Sequence, residues 1–429
     1  MAFTSNRWIR ILGASFLMYT VSFIDRTNIA MAIPAMKQEL GFTAAAIGFA
    51  TGLFFFGYVV LQIPAGRLAT TWSAKNFILT LIIAWGVVSM STALVHTEAM
   101  LALNRFVLGV VEGGVLTATI VLIRHWFPRA ERARANMIFL VSIPFGAFIA
   151  SPISGFILHS VGWRPMFVIE AIPAFVWAAV WYWAIADRPE QAAWLPAAEK
   201  AALVATLARE AAEERTRFVA QGHWSRAIVH PSVLLFAAYN FLALIGSWGF
   251  TIWLPSLLKS FHIGIETVGV LASLPYLTGV AAMILFAVTS DRMQERKWHM
   301  ILLTAGAGVL MLLEVWLQSA GVARVSLAIV LLSLANGLFY GRFGAFWALP
   351  SEFLPAELMG IGVAMANGLG NLGGFFGPFI VGWVETTTHS FMVGFAFLGL
   401  CMIAGALLAI PIRTWKDIPL ATAAVRTDR

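Results

Sequence analysis

The chain has 429 residues, of which 60% are hydrophobic and only 11% are charged, and its formal net charge is +7. Soluble domains average about 25% charged residues, so a soluble protein with one large core is excluded and lipid is the expected solvent. The basic residues do not gather with aromatic residues on one face, which argues against a nucleic-acid partner. The single cysteine, Cys401, excludes an intramolecular disulfide.

Twelve apolar segments follow one another, each close to the roughly 20 residues that a membrane-spanning helix needs. The first begins after Arg7 and Arg10 and is interpreted as a retained helix rather than a signal peptide. The predicted segments cover about 8–36, 44–67, 76–95, 99–123, 134–158, 165–186, 231–258, 266–289, 299–320, 325–349, 358–384 and 390–412. The sequence therefore predicts an all-α membrane protein with twelve transmembrane helices.

A polar stretch divides the twelve segments into two sets of six. Within it, Pro196 precedes a run of strong helix formers from Ala197 to Gln221, which predicts a linker helix with a solvated charged face. The expected organisation is an N-terminal six-helix bundle over 1–186, a linker over 187–230, and a C-terminal six-helix bundle with a short tail over 231–429.

The loops carry their positive charge asymmetrically. Starting from a cytoplasmic N-terminus, 21 Lys and Arg residues fall on the inner side and 4 on the outer side. Because cytoplasmic loops are enriched in Lys and Arg, this asymmetry predicts that both chain ends lie in the cytoplasm.

Five charged residues deep inside predicted spans are candidates for function, and each costs about 2.5–3.5 kcal/mol on insertion scales. They are Asp25 and Arg26 in the first span, Arg105 and Glu112 in the fourth, and Arg342 in the tenth. Intramembrane charges of this kind indicate a substrate or ion pathway by default, and the alternative is that they only pair to hold helices together.

Several motifs give the chain a family resemblance. They are built from charged, aromatic or amide side chains, most of them together with Gly or Pro, in a span or in the linker. They are Asp25-Arg26-x-Asn28, Arg105-Phe106-x-x-Gly109-x-x-Glu112-Gly113, Asp187-Arg188-Pro189, Trp253-Leu254-Pro255, Trp347-Ala348-Leu349-Pro350 and Asn367-x-x-Gly370-Asn371-Leu372-Gly373-Gly374. In these motifs the chain resembles the major facilitator superfamily and, within it, the anion:cation symporter family.

The resemblance implies two six-helix bundles that work by alternating access, with the substrate site between them. It implies a proton symporter that imports a small organic carboxylate, such as a sugar acid or a dicarboxylate, across a bacterial inner membrane. The energy source would be the proton gradient, with no cofactor and no metal, and the protein would be a monomer in the bilayer and not an enzyme.

The charged residues then take roles. The planar fork of Arg26 suits a substrate carboxylate. We expect Asp25 to compete with the substrate for Arg26, so that binding of the acid leaves Asp25 ready to hold a proton. Glu112 and Arg105 lie seven residues apart on one helix face, where each can meet a group of the first span such as Asp25 or Arg26. Proton carriage is expected to fall to Asp25 and Glu112, with Arg105 as a third member of the proton-coupling set.

The second half adds further candidates. Arg342 could bind a second carboxylate, or pair structurally with Glu352 or Glu314. Uncharged side chains expected to contact the body of the substrate are Tyr58, Asn240, Trp347, Asn367 and Asn371. Asp291 and Arg292 form the predicted gating loop, for which the first half has only Thr70-Thr71 at the corresponding place.

Other titratable residues are assigned no role in transport. All eight histidines fall in predicted loops or at helix ends, so none is a mid-membrane proton relay. Glu170 is expected to reach the outer interface, and Glu314 to make a helix-packing contact.

Three alternatives remain open at this point. Phe346 and the abundant tryptophans are compatible with an aromatic-acid:proton symporter. Gly146 and the run Ser151-Pro152-Ile153-Ser154-Gly155 partly match a motif of proton-driven drug exporters. The third alternative is a membrane sensor that uses the carrier fold without transport.

Overall fold

The computed structural model describes residues 6–218, 230–322, 324–354 and 356–414. These residues form helices joined by short turns, and no strand occurs among them. The linker segment 219–229 with His223, and the tail beyond residue 414, lie outside the described residues. The predicted all-α class is confirmed for the part of the chain that the structure describes.

The first half of the chain contains seven α-helices, followed by the linker helix α8. Their bounds are α1 (Ala14–Leu40), α2 (Ala44–Leu68), α3 (Ala74–Ser91), α4 (Glu98–Gly113), α5 (Val115–Trp126), α6 (Arg129–Val161), α7 (Trp163–Ala184) and α8 (Ala197–Phe218). Those of the second half are α9 (Pro231–Lys259), α10 (Ile265–Met293), α11 (Lys297–Ser319), α12 (Val325–Gly341), α13 (Phe343–Ala348), α14 (Ala356–Thr388) and α15 (Phe391–Ala409).

Ten stretches of the described chain are long and apolar enough to cross a membrane. One of them, Ala44–Leu94, holds both α2 and α3, and α14 is a further helix of 33 residues. Helices α4 and α5 cross as one broken span, and α12 and α13 as another. The described residues therefore provide twelve crossings, as the apolar segments predict.

Polar residues in the short turns set where several spans begin. Thr43, Ser73 and Thr97 each accept a hydrogen bond from the backbone N–H three residues later, at 3.1, 3.1 and 3.2 Å. Each bond satisfies one of the free N–H groups of a first helical turn. Gly41 ends α1 with a φ of +68°, a left-handed conformation that glycine adopts without steric cost.

The two halves pack closely at one face of the molecule, called here the distal face because α1 begins at the other, proximal face. A Cβ at Gly48 of α2 would collide with the backbone carbonyl of Pro378 of α14, so these helices approach to backbone contact. Beside them, Lys37 Nζ of α1 lies 3.0 Å from Glu385 Oε1 of α14. The distal face is thus closed by close packing and by an ion pair between the halves.

A vestibule separates the halves on the proximal side, which is the predicted cytoplasmic face. Its walls come from α5, α6, α10 and α13 and include Asn136, Ser290 and Asp291. It shares Leu116, Leu140 and Trp347 with a deeper cavity between the halves. The deeper cavity is therefore continuous with the proximal side.

The linker helix α8 is docked on the first half. Arg132 Nη2 lies 3.1 Å from Glu210 Oε2, and the backbone N–H of Arg129 donates to Glu210 Oε1 at 3.0 Å. Arg7 Nε lies 3.5 Å from Glu199 Oε1. The expectation that the charges of α8 are merely solvated is wrong on this side of the helix.

Candidate substrate and proton sites

The deeper cavity lies midway along the spans and takes its walls from both halves. Arg26 of α1 and Arg342, at the break between α12 and α13, both line it. Both are nearly inaccessible, with relative exposures of 7% and 1%. Two cations at such depth need compensation, and the structure compensates them in different ways.

Arg26 is paired with Glu112 of α4. Its Nη2 lies 2.6 Å and its Nε 2.9 Å from Glu112 Oε2, and Ser22 Oγ donates to the same oxygen at 3.3 Å. Glu112 Oε1 makes no hydrogen bond to any described residue, although it is buried. This ion pair joins α1 to α4 beside the cavity, and it leaves Arg26 Nη1 without a hydrogen-bond partner within the described ranges.

Aromatic rings surround the Arg26 guanidinium. Its central carbon lies 4.6 Å from the ring centroid of Phe23 and 5.1 Å from those of Phe54 and Tyr58. Rings at these distances attract a cation through their faces and exclude water from it. Tyr58, predicted to touch the substrate, therefore also holds Arg26 in position.

Asp25 is not the partner of Arg26, contrary to the sequence-based expectation. Adjacent residues on a helix point about 100° apart, so the two side chains diverge. Asp25 Oδ1 accepts a hydrogen bond from Ser89 Oγ of α3 at 2.7 Å, and the residue is fully buried away from the cavity lining. Glu112, and not Asp25, is the carboxylate paired with Arg26.

Arg105 is held by uncharged groups. Its Nη2 donates to Thr92 Oγ1 at 2.7 Å and its Nε to Asn104 Oδ1 at 3.2 Å. No carboxylate of the described chain lies within 4.0 Å of it. Arg105 therefore supplies a fixed positive charge near Asp25 and Glu112 without a direct ion pair to either.

Arg342 also lacks a carboxylate partner among the described residues. Its Nη1 donates to Tyr239 Oη at 3.2 Å and its Nη2 to Asn240 Oδ1 at 3.3 Å. Glu352 pairs instead with Arg296, at 3.6 Å. Pairing of Arg342 with Glu352 or with Glu314, one of the two expectations from the sequence, is thus wrong.

Four rings enclose the Arg342 guanidinium. The ring centroids lie between 4.5 and 5.4 Å from its central carbon and belong to Phe339, Phe346, Tyr239 and Phe343. They replace water around the cation but bring no negative charge. An anion entering the cavity would meet a cation that has been desolvated and not neutralised.

The predicted uncharged contacts divide into two groups. Asn240 is already bound on both sides of its amide, because its Nδ2 donates to the Ala366 carbonyl at 3.2 Å. Asn367, Asn371 and Trp347 line the cavity, and Trp347 Nε1 finds no acceptor among the described residues. These last three side chains can bind the polar atoms of a small molecule.

The predicted gating residues lie outside this cavity. Asp291 lines the proximal vestibule, and its Oδ1 is 4.0 Å from Arg296 Nη2. Arg292 lies in the last turn of α10. Their positions place the predicted gate at the mouth of the vestibule.

A family model described as the Major Facilitator Superfamily matches residues 15–378. The chain belongs to this superfamily. A protein named "Putative tartrate transporter" from Agrobacterium vitis is 33% identical over 414 residues, which cover 94% of this chain and 90% of that protein. A protein named "Quinolone resistance transporter" from Acinetobacter baumannii is 30% identical over 407 residues, covering 93% and 92%.

The fold comparison agrees with this assignment. The inward-open structure of the xylose transporter XylE from E. coli superposes with a TM-score of 0.75 at 17% identity, covering 95% of this chain and 96% of that one. The resemblance to the superfamily and to its anion:cation symporters is confirmed by these matches. This member of the superfamily is a multi-pass membrane transporter and not an enzyme.

Sequence reasoning missed several cavity residues of this transporter. They are aromatic or small polar side chains whose only signal is helical spacing relative to a residue already singled out. Tyr19 and Phe23 precede Arg26 by seven and three positions, and Ser247 follows Asn240 by seven. The missed aromatic and small polar residues of the lining are Tyr19, Phe23, Ser247, Trp248, Phe339, Tyr340 and Phe343.

Glu170 and Glu314 are both buried, with exposures of 3% and 2%. Glu170 does not reach the outer interface, because Ser154 Oγ of α6 donates to its Oε1 at 2.6 Å inside the first half. Glu314 Oε1 has no hydrogen-bond partner in the described part of the chain. The expectation for Glu170 is therefore wrong.

Proposed function

We propose that this transporter imports a small organic carboxylate by proton symport across the bacterial inner membrane. The observation that carries the proposal is the pair of buried arginines, Arg26 and Arg342, that face one cavity from opposite halves. Arginine remains protonated and binds carboxylates with a two-pronged fork. The name of the Agrobacterium relative, a tartrate transporter, fits such a substrate.

The cavity favours an acid with two carboxylates. One would bind Arg342, which has only hydroxyl and amide partners, and the other Arg26, which has a resident carboxylate to displace. Trp347 Nε1, Asn367 and Asn371 would then contact the hydroxyls or ring of the substrate body.

Proton coupling follows from the Arg26–Glu112 pair. A substrate carboxylate that binds Arg26 removes the main counter-ion of Glu112, and an unpaired buried carboxylate is costly, so Glu112 takes up a proton. Release of the acid restores the ion pair and expels the proton. Substrate and proton therefore enter and leave together.

Alternating access completes the cycle. The described conformation is closed at the distal face and has its vestibule on the proximal face, for which the distribution of Lys and Arg predicts a cytoplasmic location. Opening the distal face requires separation of Lys37 from Glu385 and of α2 from α14. Asp291 and Arg292 would close the vestibule in the opposite state.

The remaining polar residues would serve the proton. Asp25 is buried and does not line the substrate cavity, so it is proposed as a second proton carrier. Arg105 is proposed as the fixed positive charge that stabilises the ionised forms of Asp25 and Glu112. A monomer contains every one of these groups.

Uptake into proteoliposomes tests this function. Labelled tartrate, a sugar acid and an aromatic acid are offered with and without an imposed inward proton gradient, and empty liposomes are the control. We expect accumulation of at least one acid that depends on the gradient. Binding without any accumulation would instead indicate a sensor.

A drug exporter is the second candidate, and two observations favour it. One relative is named for quinolone resistance, and nine of the 19 residues that line the cavity are aromatic. The same vesicles loaded with a fluoroquinolone distinguish the two functions, because an exporter would move the drug against its gradient in exchange for protons. If the protein is a carboxylate importer, the drug should not move in a way that depends on the proton gradient.

A further inference from the structure

A second polar cluster lies inside the first half, away from the substrate cavity. It consists of Asp25 and Asn28 of α1, Ser89 of α3, Ser154 of α6 and Glu170 of α7. All five residues are buried, with relative exposures between 0% and 3%. None of them lines the cavity that contains Arg26 and Arg342.

Each carboxylate of this cluster has one satisfied oxygen and one unsatisfied oxygen. Ser89 donates to Asp25 Oδ1 at 2.7 Å, and Ser154 donates to Glu170 Oε1 at 2.6 Å. Asp25 Oδ2 and Glu170 Oε2 are buried and make no hydrogen bond to the described residues. An unpartnered buried polar group costs about 1–3 kcal/mol, so the cluster lacks a donor or a cation.

Asn28 strengthens this conclusion. Its side chain lies beside the Glu170 carboxylate, yet neither its amide oxygen nor its amide nitrogen meets the geometry of a hydrogen bond within the described chain. A fully buried amide with both ends free, next to two half-satisfied carboxylates, indicates a site built to bind something small.

The surrounding charges do not neutralise the pair. Glu112, Glu170 and Arg105 are the charged groups that act on Asp25. Glu112 is bound to Arg26, and Arg105 donates its hydrogen bonds to uncharged groups. From α3 and α6 the cluster receives only serine hydroxyls. Asp25 therefore lies near one cation that makes no hydrogen bond to it, and Glu170 makes no ion pair with a described residue.

We propose that Asp25 and Glu170 form one proton-binding site that bridges α1 and α7. Asp25 lies about one helical turn before Asn28, whose side chain is beside Glu170, and two buried carboxylates placed in this way disfavour each other's ionisation and titrate as a pair. The proton binds one carboxylate oxygen and leaves to water, with no other bond changed. A metal ion fits less well, because the described residues contain no group of three or more His, Cys, Asp or Glu side chains that could hold one.

The site joins two helices whose packing must change if the first half deforms during transport. A proton on either carboxylate would remove the repulsion between Asp25 and Glu170 across the contact of α1 with α7, and its loss would restore that repulsion. This role in coupling rests on the proposed function, whereas the existence of the proton site does not.

Infrared spectroscopy on the purified full-length protein in lipid nanodiscs tests the proton site itself. Carbon-13 labelling of aspartate separates the Asp signals from the Glu signals, and Asp25→Asn assigns the signal of Asp25. We expect Glu170→Gln to shift the pH at which Asp25 titrates by about one unit or more. The matched control is Glu314→Gln, which neutralises a buried carboxylate of the other half and should leave that pH unchanged.

Two results would overturn the proposal. One is an Asp25 titration that is the same in Glu170→Gln as in the wild type. The other is a change in the Asp25 signal on addition of sodium at fixed pH, which would indicate a metal-ion site. If Glu170→Gln does not fold, Ser154→Ala removes only the hydroxyl donor and should give a smaller shift of the same signal.

Transport assays then test the role in coupling. Glu170→Gln should continue to exchange substrate between loaded vesicles, while accumulation driven by a proton gradient falls about 5- to 150-fold. Glu314→Gln should accumulate substrate like the wild type. Wild-type accumulation in Glu170→Gln would refute the coupling role. If no protein accumulates any acid, the proposed function fails and the infrared result still decides the site.

Discussion

Arg26 and Arg342 face the same cavity from opposite halves, and both are wrapped by aromatic rings. Arg26 has a buried carboxylate, Glu112, at 2.6 Å. Arg342 has only the hydroxyl of Tyr239 and the amide oxygen of Asn240. Arginine is thus used in two ways. Arg26 already has a carboxylate partner and can exchange it for another, whereas Arg342 has none and can only gain an anion.

This difference supports the proposal that the proton-coupled switch lies in the first half and the substrate anchor in the second. Removing one partner of a buried ion pair is costly, so substrate binding at Arg26 has to be matched by a proton at Glu112. Binding at Arg342 displaces no charge and requires no proton. The predictions below test this division, beginning with the largest expected effect.

Replacing Arg26 by alanine should remove substrate binding. Loss of one member of a buried hydrogen-bonded charge pair costs about 2–5 kcal/mol, or roughly 30-fold or more in affinity. Calorimetric titration with the transported acid measures the loss. Because Arg26→Ala leaves the buried Glu112 carboxylate without its partner, the double variant Arg26→Ala/Glu112→Gln is the control for folding. Normal affinity in either protein would exclude Arg26 as a substrate ligand.

Replacing Arg342 should weaken binding without affecting proton coupling. Hydrogen bonds to charged groups contribute about 1.5–3 kcal/mol, which corresponds to roughly 10- to 150-fold in affinity for Arg342→Ala. Arg342→Lys keeps the positive charge but loses the two-pronged fork, so its affinity should lie between those of the wild type and of Arg342→Ala. The ratio of protons to substrate moved should stay at its wild-type value. A changed ratio would mean that the two arginines do not differ in the proposed way.

Neutralising Glu112 should separate binding from coupling. Glu112→Gln resembles the protonated residue, so exchange between loaded vesicles should continue while accumulation driven by a proton gradient falls about 5- to 150-fold. Parallel flux assays on the same vesicles give both quantities. Gradient-driven accumulation at the wild-type level would remove Glu112 from the coupling mechanism.

The smallest effect is expected at the distal ion pair. The Lys37–Glu385 pair is partly open to solvent, and ion pairs that solvent reaches contribute about 0–1 kcal/mol, so Lys37→Gln should shift the balance between the two open states only a few-fold. Cysteine accessibility at the two faces reports this balance, and Lys37→Gln/Glu385→Gln should resemble the single variant. A double variant much more open than the single one would show that the pair is not the relevant contact.

Much of this arrangement can be predicted from the sequence. The apolar segments predict the twelve crossings, and the isolated charges Asp25, Arg26, Arg105, Glu112 and Arg342 predict where polar groups cross the membrane. Pairing is harder, because it depends on the angle at which each side chain leaves its helix. Asp25 and Arg26 are adjacent in sequence but diverge around α1, so Asp25 meets Ser89 and Arg26 meets Glu112.

The breaks in two spans were also beyond the sequence patterns. The apolar runs 99–123 and 325–349 are continuous, but the helices are interrupted at Gly114 and at Arg342. Hydrophobicity reports that a segment crosses a membrane and does not report its local backbone geometry. Glu170 was misjudged for a related reason, since its depth follows from packing against α6 and not from its distance to a predicted helix end.

The central claim is that the substrate carboxylate and Glu112 compete for Arg26. It is tested most directly by calorimetric titration of the acid in several buffers of different ionisation enthalpy, which counts the protons taken up on binding. Uptake on binding means that affinity falls as pH rises. We predict about one proton for the wild type and for Asp25→Asn, and none for Glu112→Gln. No proton uptake by the wild type, or full uptake by Glu112→Gln, would contradict the account.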